Sequence, residues 1–288
     1  MSGADSSQLA SDIERLYQQG QSADKDKSRM VFKKLRDELS AGRVRAAEPD
    51  ASTATGWRVN TWVKQGILVG FRCGDLVDMS QSGFDSRWFF GDKDTLPLKK
   101  MNVQMGVRVV PGGSSIRDGA YVGKGVICVP PMFINIGAYV GESSLVDSHA
   151  LVGSCAQIGR RVHISAGAQI GGVIEPVGAI PVIVEDEVLV GGNTGIYEGV
   201  VIKARAVIGA GTILTASTPI YDLPKERIIR PEGGAPLVVP EAAVIVPGSR
   251  AVTQGIGPKW GLSLSTPVIV KYRDEKTDAR TSLEDWVR

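Results

Sequence analysis

The 288-residue chain contains two histidines and three cysteines, and these set the first limits on its chemistry. Cys73, Cys128 and Cys155 are odd in number and lack CxxC spacing, which points to a reducing compartment and away from a disulfide framework or a zinc knuckle. His149 and His163 fall short of a three-histidine zinc centre, so hydratase chemistry of that kind is excluded and no metal is expected. His149 has two readings, a general base working near neutrality or a polar side chain lining a pocket. Two residues before it stands Asp147, the only acid between Glu142 and Glu175. The plain structural reading of Asp147 is a corner aspartate bonded to its own turn backbone. The functional reading is an outward carboxylate isolated in a sparsely charged stretch.

Such side chains need a scaffold, and composition constrains it. Glycine makes up 35 of 288 residues, about 12% against a usual level of about 7%. Aromatic residues number only 17, so rings cannot be the main filling of the core, yet 43% hydrophobic content still supports a large one. Lys plus Arg total 33 against 31 Asp plus Glu, a net of +2 that argues against nucleic acid or an anionic membrane as the main partner. The N-terminus is polar and no stretch reaches the roughly 18 apolar residues of a membrane span, so a soluble cytoplasmic protein is expected.

Charge is unevenly spread. Residues 1–60 hold 19 charged side chains and residues 116–175 hold 8. Leu9, Ile13, Leu16 and Tyr17 make one helical stripe, and Val31, Leu35 and Leu39 a second, which should stop near Gly42. The run from Trp57 to Phe71 fits a strand or a short buried helix equally well. From Ile116 onward, an aliphatic residue recurs every six positions through Ile170, with Cys128 the one exception to Ile or Val. The register slips by two around residues 175–182 and resumes from Val184 to Ile220. Small or β-branched residues recur four places later, and Gly often follows the aliphatic residue, as at Gly141 and Gly153. A period of six suits a hexapeptide β-helix, three hexads to a triangular coil, with glycine at the corners tolerating positive φ and close backbone approach. About six coils stacked at about 4.8 Å would form a prism of order 29 Å. The charged helices are expected to cap one end and the tail the other, where PVIVKY (267–272) reads as a strand and Thr281 with Glu284 as a capping box.

The hexads resemble the left-handed parallel β-helix acyltransferases. Within them VRVVP (107–111), FINIGAYVGESSLVDSHALVGSCAQIGRRVHIS (133–165), IGGVIEP (170–176) and YEGVVI (197–202) resemble the tetrahydrodipicolinate N-succinyltransferase family, with weaker similarity in LSAGRVRAAEP (39–49), WVKQGILVGFR (62–72) and PVIVKYRDEKT (267–277). The expected fold is mainly β: a left-handed parallel β-helix over 101–252, an N-terminal helical (α/β) domain over 1–100, and a C-terminal loop, strand and short helix over 253–288.

The resemblance implies a cytoplasmic CoA-dependent N-acyltransferase of lysine and diaminopimelate biosynthesis. It would move succinyl from succinyl-CoA, a co-substrate and not a bound cofactor, to the amino group of 2-amino-6-oxopimelate, the ring-opened form of tetrahydrodipicolinate. A homotrimer with sites between subunits is implied too. By motif match Arg108 would pair with an acceptor carboxylate, and Asp147 would bind the acceptor ammonium and help remove its proton. Many members carry a catalytic glutamate where this chain has Gly195; Glu198 matches a second family acid, and its structural reading is a solvated corner carboxylate. The family usually has Trp where His149 stands, while His163 follows the pattern and reads as structural. On the CoA side, Gly209, Gly211 and Ser217 would leave amides reachable, and Lys203, Arg205, Lys259 and Lys271 would meet the phosphates or serve as solubilising surface cations. The stretch around Lys259 is expected to order over the bound thioester. The competing readings are a β-helix N-acetyltransferase using acetyl-CoA on the same or a modified amino-dicarboxylate, kept open by Gly195 and His149, and a non-catalytic β-helix scaffold.

Overall fold

The computed structural model describes residues 3–80, 89–231 and 233–274. The six-residue period becomes two-residue strands separated by four-residue corners, and the strands stack into three faces. The first face runs Arg108–Val109, Ile127–Cys128, Leu145–Val146, His163–Ile164, Leu189–Val190 and Val207–Ile208. The second begins at Ser115–Ile116 and ends at Ile213–Leu214, and the third begins at Tyr121–Val122 and ends at Val238–Val239, with six strands each. Val140 pairs with Ile158, eighteen residues on, whereas Ile158 pairs with Val184, twenty-six on. The register slip is thus an insertion of eight residues between Ile170 and Ile183.

Val109 in the first strand is exposed, whereas from Ser115–Ile116 to Val238–Val239 the second residue of each face strand points inward. These residues and the small ones four places later form one continuous core, in which Cys128, Val146, Ala150, Ile164, Ile196 and Ala206 are all buried. Each Ile or Val taken from water contributes roughly 1.5–3 kcal/mol, so the repeat itself is the source of stability. The corners divide their conformational demands between two positions. Left-handed backbone falls three residues after the aliphatic one, and there it is accepted by Ser143, His149, Cys155, Arg161, Glu187, Asn193 and Arg205 as well as by glycines. The glycines directly after the aliphatic residue have no positive φ; a Cβ on Gly191 would lie 2.5 Å from Ala210 N, and one on Gly141 or Gly153 would strike the backbone of the next coil. Crowding between coils, and not φ, is why they are glycine.

Both predicted N-terminal helices form: α1 (Gly3–Gln18) buries Leu9, Ile13 and Leu16, and α2 (Lys25–Ser40) buries Val31, Leu35 and Leu39. Asp24 caps α2 by accepting a hydrogen bond from Lys27 N at 2.7 Å. The ambiguous run resolves into both alternatives, a strand at Trp57–Val59 and then α3 (Thr61–Cys73). On α3, Gly66 and Gly70 present bare backbone to Leu35 and Phe32, which brings α2 and α3 close together. The helices do not cap an end of the prism. They lie along its side, sharing a core with Ile136 and Cys155, while Ala47 packs with Ile183 and Val201. The reason is that the outward residues of the third face, Tyr121, Tyr139, Ile183, Val201 and Val238, are apolar or aromatic and need cover, with Gln157 the one polar exception. The opposite end is closed by antiparallel strands Ala243–Ala251 and Ser263–Tyr272, the latter containing PVIVKY. Beneath them buried Asp222 accepts hydrogen bonds from Arg227 Nε at 2.9 Å and Tyr272 OH at 2.8 Å. The expected capping box at Thr281 and Glu284 lies outside the described residues.

Candidate active site

Three edges join the three faces, and the chemistry-bearing residues sort onto them. Asp147 and His149 occupy the first edge, between the first and second faces, directly after Leu145–Val146. Asp147 is half-buried; its Oδ1 accepts from Ser148 N at 2.7 Å, and its other oxygen has no partner among the described residues. The turn reading is therefore satisfied by one oxygen and leaves the other open. His149 is exposed at φ 61°, held by its backbone N–H to Pro131 O at 2.6 Å and by its carbonyl accepting from Gln169 Nε2 at 3.2 Å. Its ring has no partner among the described residues. Arg108 is exposed on the first face, and its strand pairs with Ile127–Cys128, which pairs with Leu145–Val146. Two rungs, about 10 Å, thus separate Arg108 from the Asp147 level, a span that a short dicarboxylate could bridge.

Glu198 stands on the second edge, so one chain does not bring it to Asp147. It is exposed, has φ 54°, and its Oε2 accepts from Ala216 N of the next coil at 2.9 Å. Gly195 is buried, and a Cβ there would lie 2.5 Å from Tyr197 Cε2 and 2.9 Å from its Cζ. The Tyr197 ring therefore takes the space that a side chain at 195 would fill. Nothing in the six-residue period marks Tyr197, because corner positions vary freely outside the prism.

Above Asp147 the same edge position is held in successive coils by Ser165, Gly191 and Gly209, which makes a side-chain-poor groove running towards the end strands. The expected reachable amides are not there. Gly209 N donates to Ile245 O at 2.7 Å, Gly211 N to Gly192 O at 2.9 Å, and Ser217 N to Thr215 Oγ1 at 3.4 Å. Stacked coils consume their amides in the ladder, so what Gly211 offers is space, a Cβ there meeting nothing within 4 Å, whereas a Cβ on Gly209 would lie 2.8 Å from Ile245 O. Lys203 also departs from expectation. Its Nζ donates to Glu185 Oε1 at 2.7 Å and Thr55 O at 2.6 Å, tying the N-terminal segment to the prism. Lys271 pairs with Asp274 at 3.1 Å. Arg205 lies on the third edge, whereas Lys259 is exposed, without a partner among the described residues, at the turn joining the two end strands. That turn is hydrogen-bonded within itself, with Trp260 N donating to Gly257 O at 3.1 Å and Leu262 N to Gly257 O at 3.1 Å, and it exposes 67% of Trp260. Ala243–Ala251 runs parallel to Val207–Ile208, so it carries this turn out past the first edge.

The cysteines take no part. Burial pushes the thiols of Cys128 and Cys155 up to about 12 and also raises that of Cys73.

Comparison with known proteins identifies the family. The tetrahydrodipicolinate N-succinyltransferase N-terminal family profile matches residues 8–73, and the hexapeptide repeat of succinyl-transferase profile matches residues 181–216. A 2,3,4,5-tetrahydropyridine-2,6-dicarboxylate N-succinyltransferase of Rhodopseudomonas palustris is 39% identical over 272 residues, 92% of each chain. Proteins of the same name from Xylella fastidiosa (40% over 269 residues, 91% of this chain and 90% of that one) and Bradyrhizobium diazoefficiens (38% over 270 residues, 92% and 91%) are similar to a like extent. With more than nine-tenths of its length aligned at this identity, the chain belongs to the 2,3,4,5-tetrahydropyridine-2,6-dicarboxylate N-succinyltransferase family.

Proposed function

We infer that this chain is the N-succinyltransferase its family membership indicates, taking succinyl from succinyl-CoA to the amino group of the ring-opened tetrahydropyridine dicarboxylate, a step of diaminopimelate and lysine biosynthesis. The observation that carries the site is Asp147: an outward, half-buried carboxylate with one oxygen fixed by Ser148 and the other open. The open oxygen binds the acceptor ammonium and draws off its proton, and the freed amine attacks the thioester carbonyl. The tetrahedral intermediate collapses with loss of the CoA thiolate. Arg108 holds an acceptor carboxylate two rungs away, and His149 lines the pocket beside Asp147 as a second group able to carry a proton. The pantetheine arm follows the groove at Gly191, Gly209 and Gly211, and Lys259 meets the phosphates. Catalysis by Glu198 requires its edge to face the Asp147 edge of another chain, which supports a homotrimer with sites between subunits; sedimentation of the full chain tests the trimer. Three buried, unpaired cysteines support a cytoplasmic location, and no described helix is long and apolar enough to cross a membrane.

The donor is tested by initial rates on tetrahydrodipicolinate with succinyl-CoA and acetyl-CoA. A preference for succinyl-CoA of about tenfold or more is expected, equivalent to about 1.4 kcal/mol between transition states. A tenfold preference for acetyl-CoA would overturn the succinyl assignment.

A further inference from the structure

A cavity of about 470 Å³ lies at the third edge, between the N-terminal segment and the prism. It is a full face away from Asp147. Its walls include Arg45 and Trp57 from the N-terminal side and Tyr139, Arg160, Glu185 and Asp186 from the coils. The Arg45 guanidinium stacks over the Tyr139 ring at 3.8 Å and lies 5.4 Å from the Trp57 centroid. Its Nε donates to Gln157 Oε1 at 2.9 Å, and its two terminal nitrogens have no partner among the described residues. Burial pulls this guanidinium below its ordinary range, outweighing the opposite pull of Tyr139, Glu48 and Asp186, and Glu48 is itself paired with Arg58. Arg160 is exposed, and its guanidinium likewise has no partner among the described residues.

Of the two wall carboxylates, Glu185 is already satisfied by Lys203 Nζ at 2.7 Å, Trp57 Nε1 at 2.9 Å and Ala204 N at 3.1 Å. Asp186 accepts from Arg160 N at 2.8 Å. Two open guanidinia against one uncompensated carboxylate leave a single positive charge beside two aromatic faces. Gly141 and Gly159 keep the coil wall bare. The volume falls within the usual range for small-molecule sites.

We propose that this cavity is a binding site for a small monocarboxylate with a planar apolar body, the carboxylate held by Arg45 and Arg160 and the body lying against Trp57 and Tyr139. A guanidinium fork suits a carboxylate, and one net positive charge favours a monoanion over a dianionic phosphate. Because both sides of the seam contribute, occupancy ties the N-terminal segment to the prism. Titration calorimetry on the full chain with benzoate, acetate and phenyl phosphate tests this. One saturable benzoate site per chain is expected, with a Kd of about 1 mM or tighter, stronger than acetate and stronger than phenyl phosphate. Arg160→Gln, at an exposed position that leaves the fold intact, should weaken benzoate about tenfold, the scale of one charge-assisted hydrogen bond. Arg45→Gln should do the same with an unchanged circular dichroism spectrum, and Arg108→Gln should change nothing. Absence of saturable benzoate binding, unchanged binding in Arg160→Gln, tighter binding of phenyl phosphate or of acetate, or loss of binding in Arg108→Gln would each overturn the proposal.

Discussion

At the scale of the residue, one corner can serve structure and chemistry together. Asp147 uses a single oxygen for its turn, so the fold survives while the other oxygen stays available. Glu198 spends an oxygen on the next coil, accepting from Ala216 N. Glu198→Gln retains an acceptor and should melt within a degree or two of wild type; Glu198→Ala loses it, at a cost of about 0.5–1 kcal/mol in thermal unfolding. The buried thiols give a sharper expectation. Burial raises all three, with Cys128 and Cys155 at about 12, so thiolate is scarce in the native state at pH 8. A thiol reagent should label none of the three in the native protein and all three after denaturation. Fast native labelling at pH 8 would contradict that burial.

At the scale of the element, the two corner positions separate two causes of glycine. Gly141→Ala forces a Cβ into the backbone of the next coil, where nothing flexible can yield, and should cost about 1–3 kcal/mol. Gly211→Ala meets open space and should cost only the left-handed strain at φ 75°, about 1–2 kcal/mol, with the groove beside it narrowed by a methyl group. The KM for succinyl-CoA should therefore rise in Gly211→Ala and stay unchanged in Gly141→Ala. The coils were legible in the sequence because every rung reuses the same two inward positions, and even Cys128 keeps its place in the core. What escaped the sequence lies on the outside. Tyr121, Tyr139, Ile183 and Val201 come from separate coils, so the apolar strip that draws the helices to the side of the prism forms only once the coils stack. The fate of the Gly209 and Gly211 amides was hidden for the same reason, since their partners belong to neighbouring coils. Asp147 was visible as an isolated acid, whereas Tyr197 over Gly195 and the paired guanidinia of Arg45 and Arg160 depend on contacts that no period encodes.

At the scale of the whole molecule, the N-terminal segment and the prism share a seam that carries unusual charge. Lys64 on α3 is fully buried, and its Nζ donates to Ala179 O in the eight-residue insertion, with no carboxylate beside it. Burial lowers its pKa, so between the folded and unfolded values the unfolded chain binds more protons and stability rises with pH across that window. Lys64→Met should be more stable than wild type by about 1 kcal/mol at pH 7, and its advantage should shrink as pH climbs towards the ordinary lysine range. Chemical denaturation at pH 7 and pH 9.5 checks both the sign and the trend. The side-chain-poor groove and the outward acid belong to the reaction proposed at the first edge, and its turnover is the most direct test. Steady-state release of CoA thiol from succinyl-CoA, dependent on tetrahydrodipicolinate, should be readily measured for the wild-type chain and fall by about a hundredfold or more in Asp147→Asn, with circular dichroism and melting temperature unchanged. Full turnover in a folded Asp147→Asn would contradict the account.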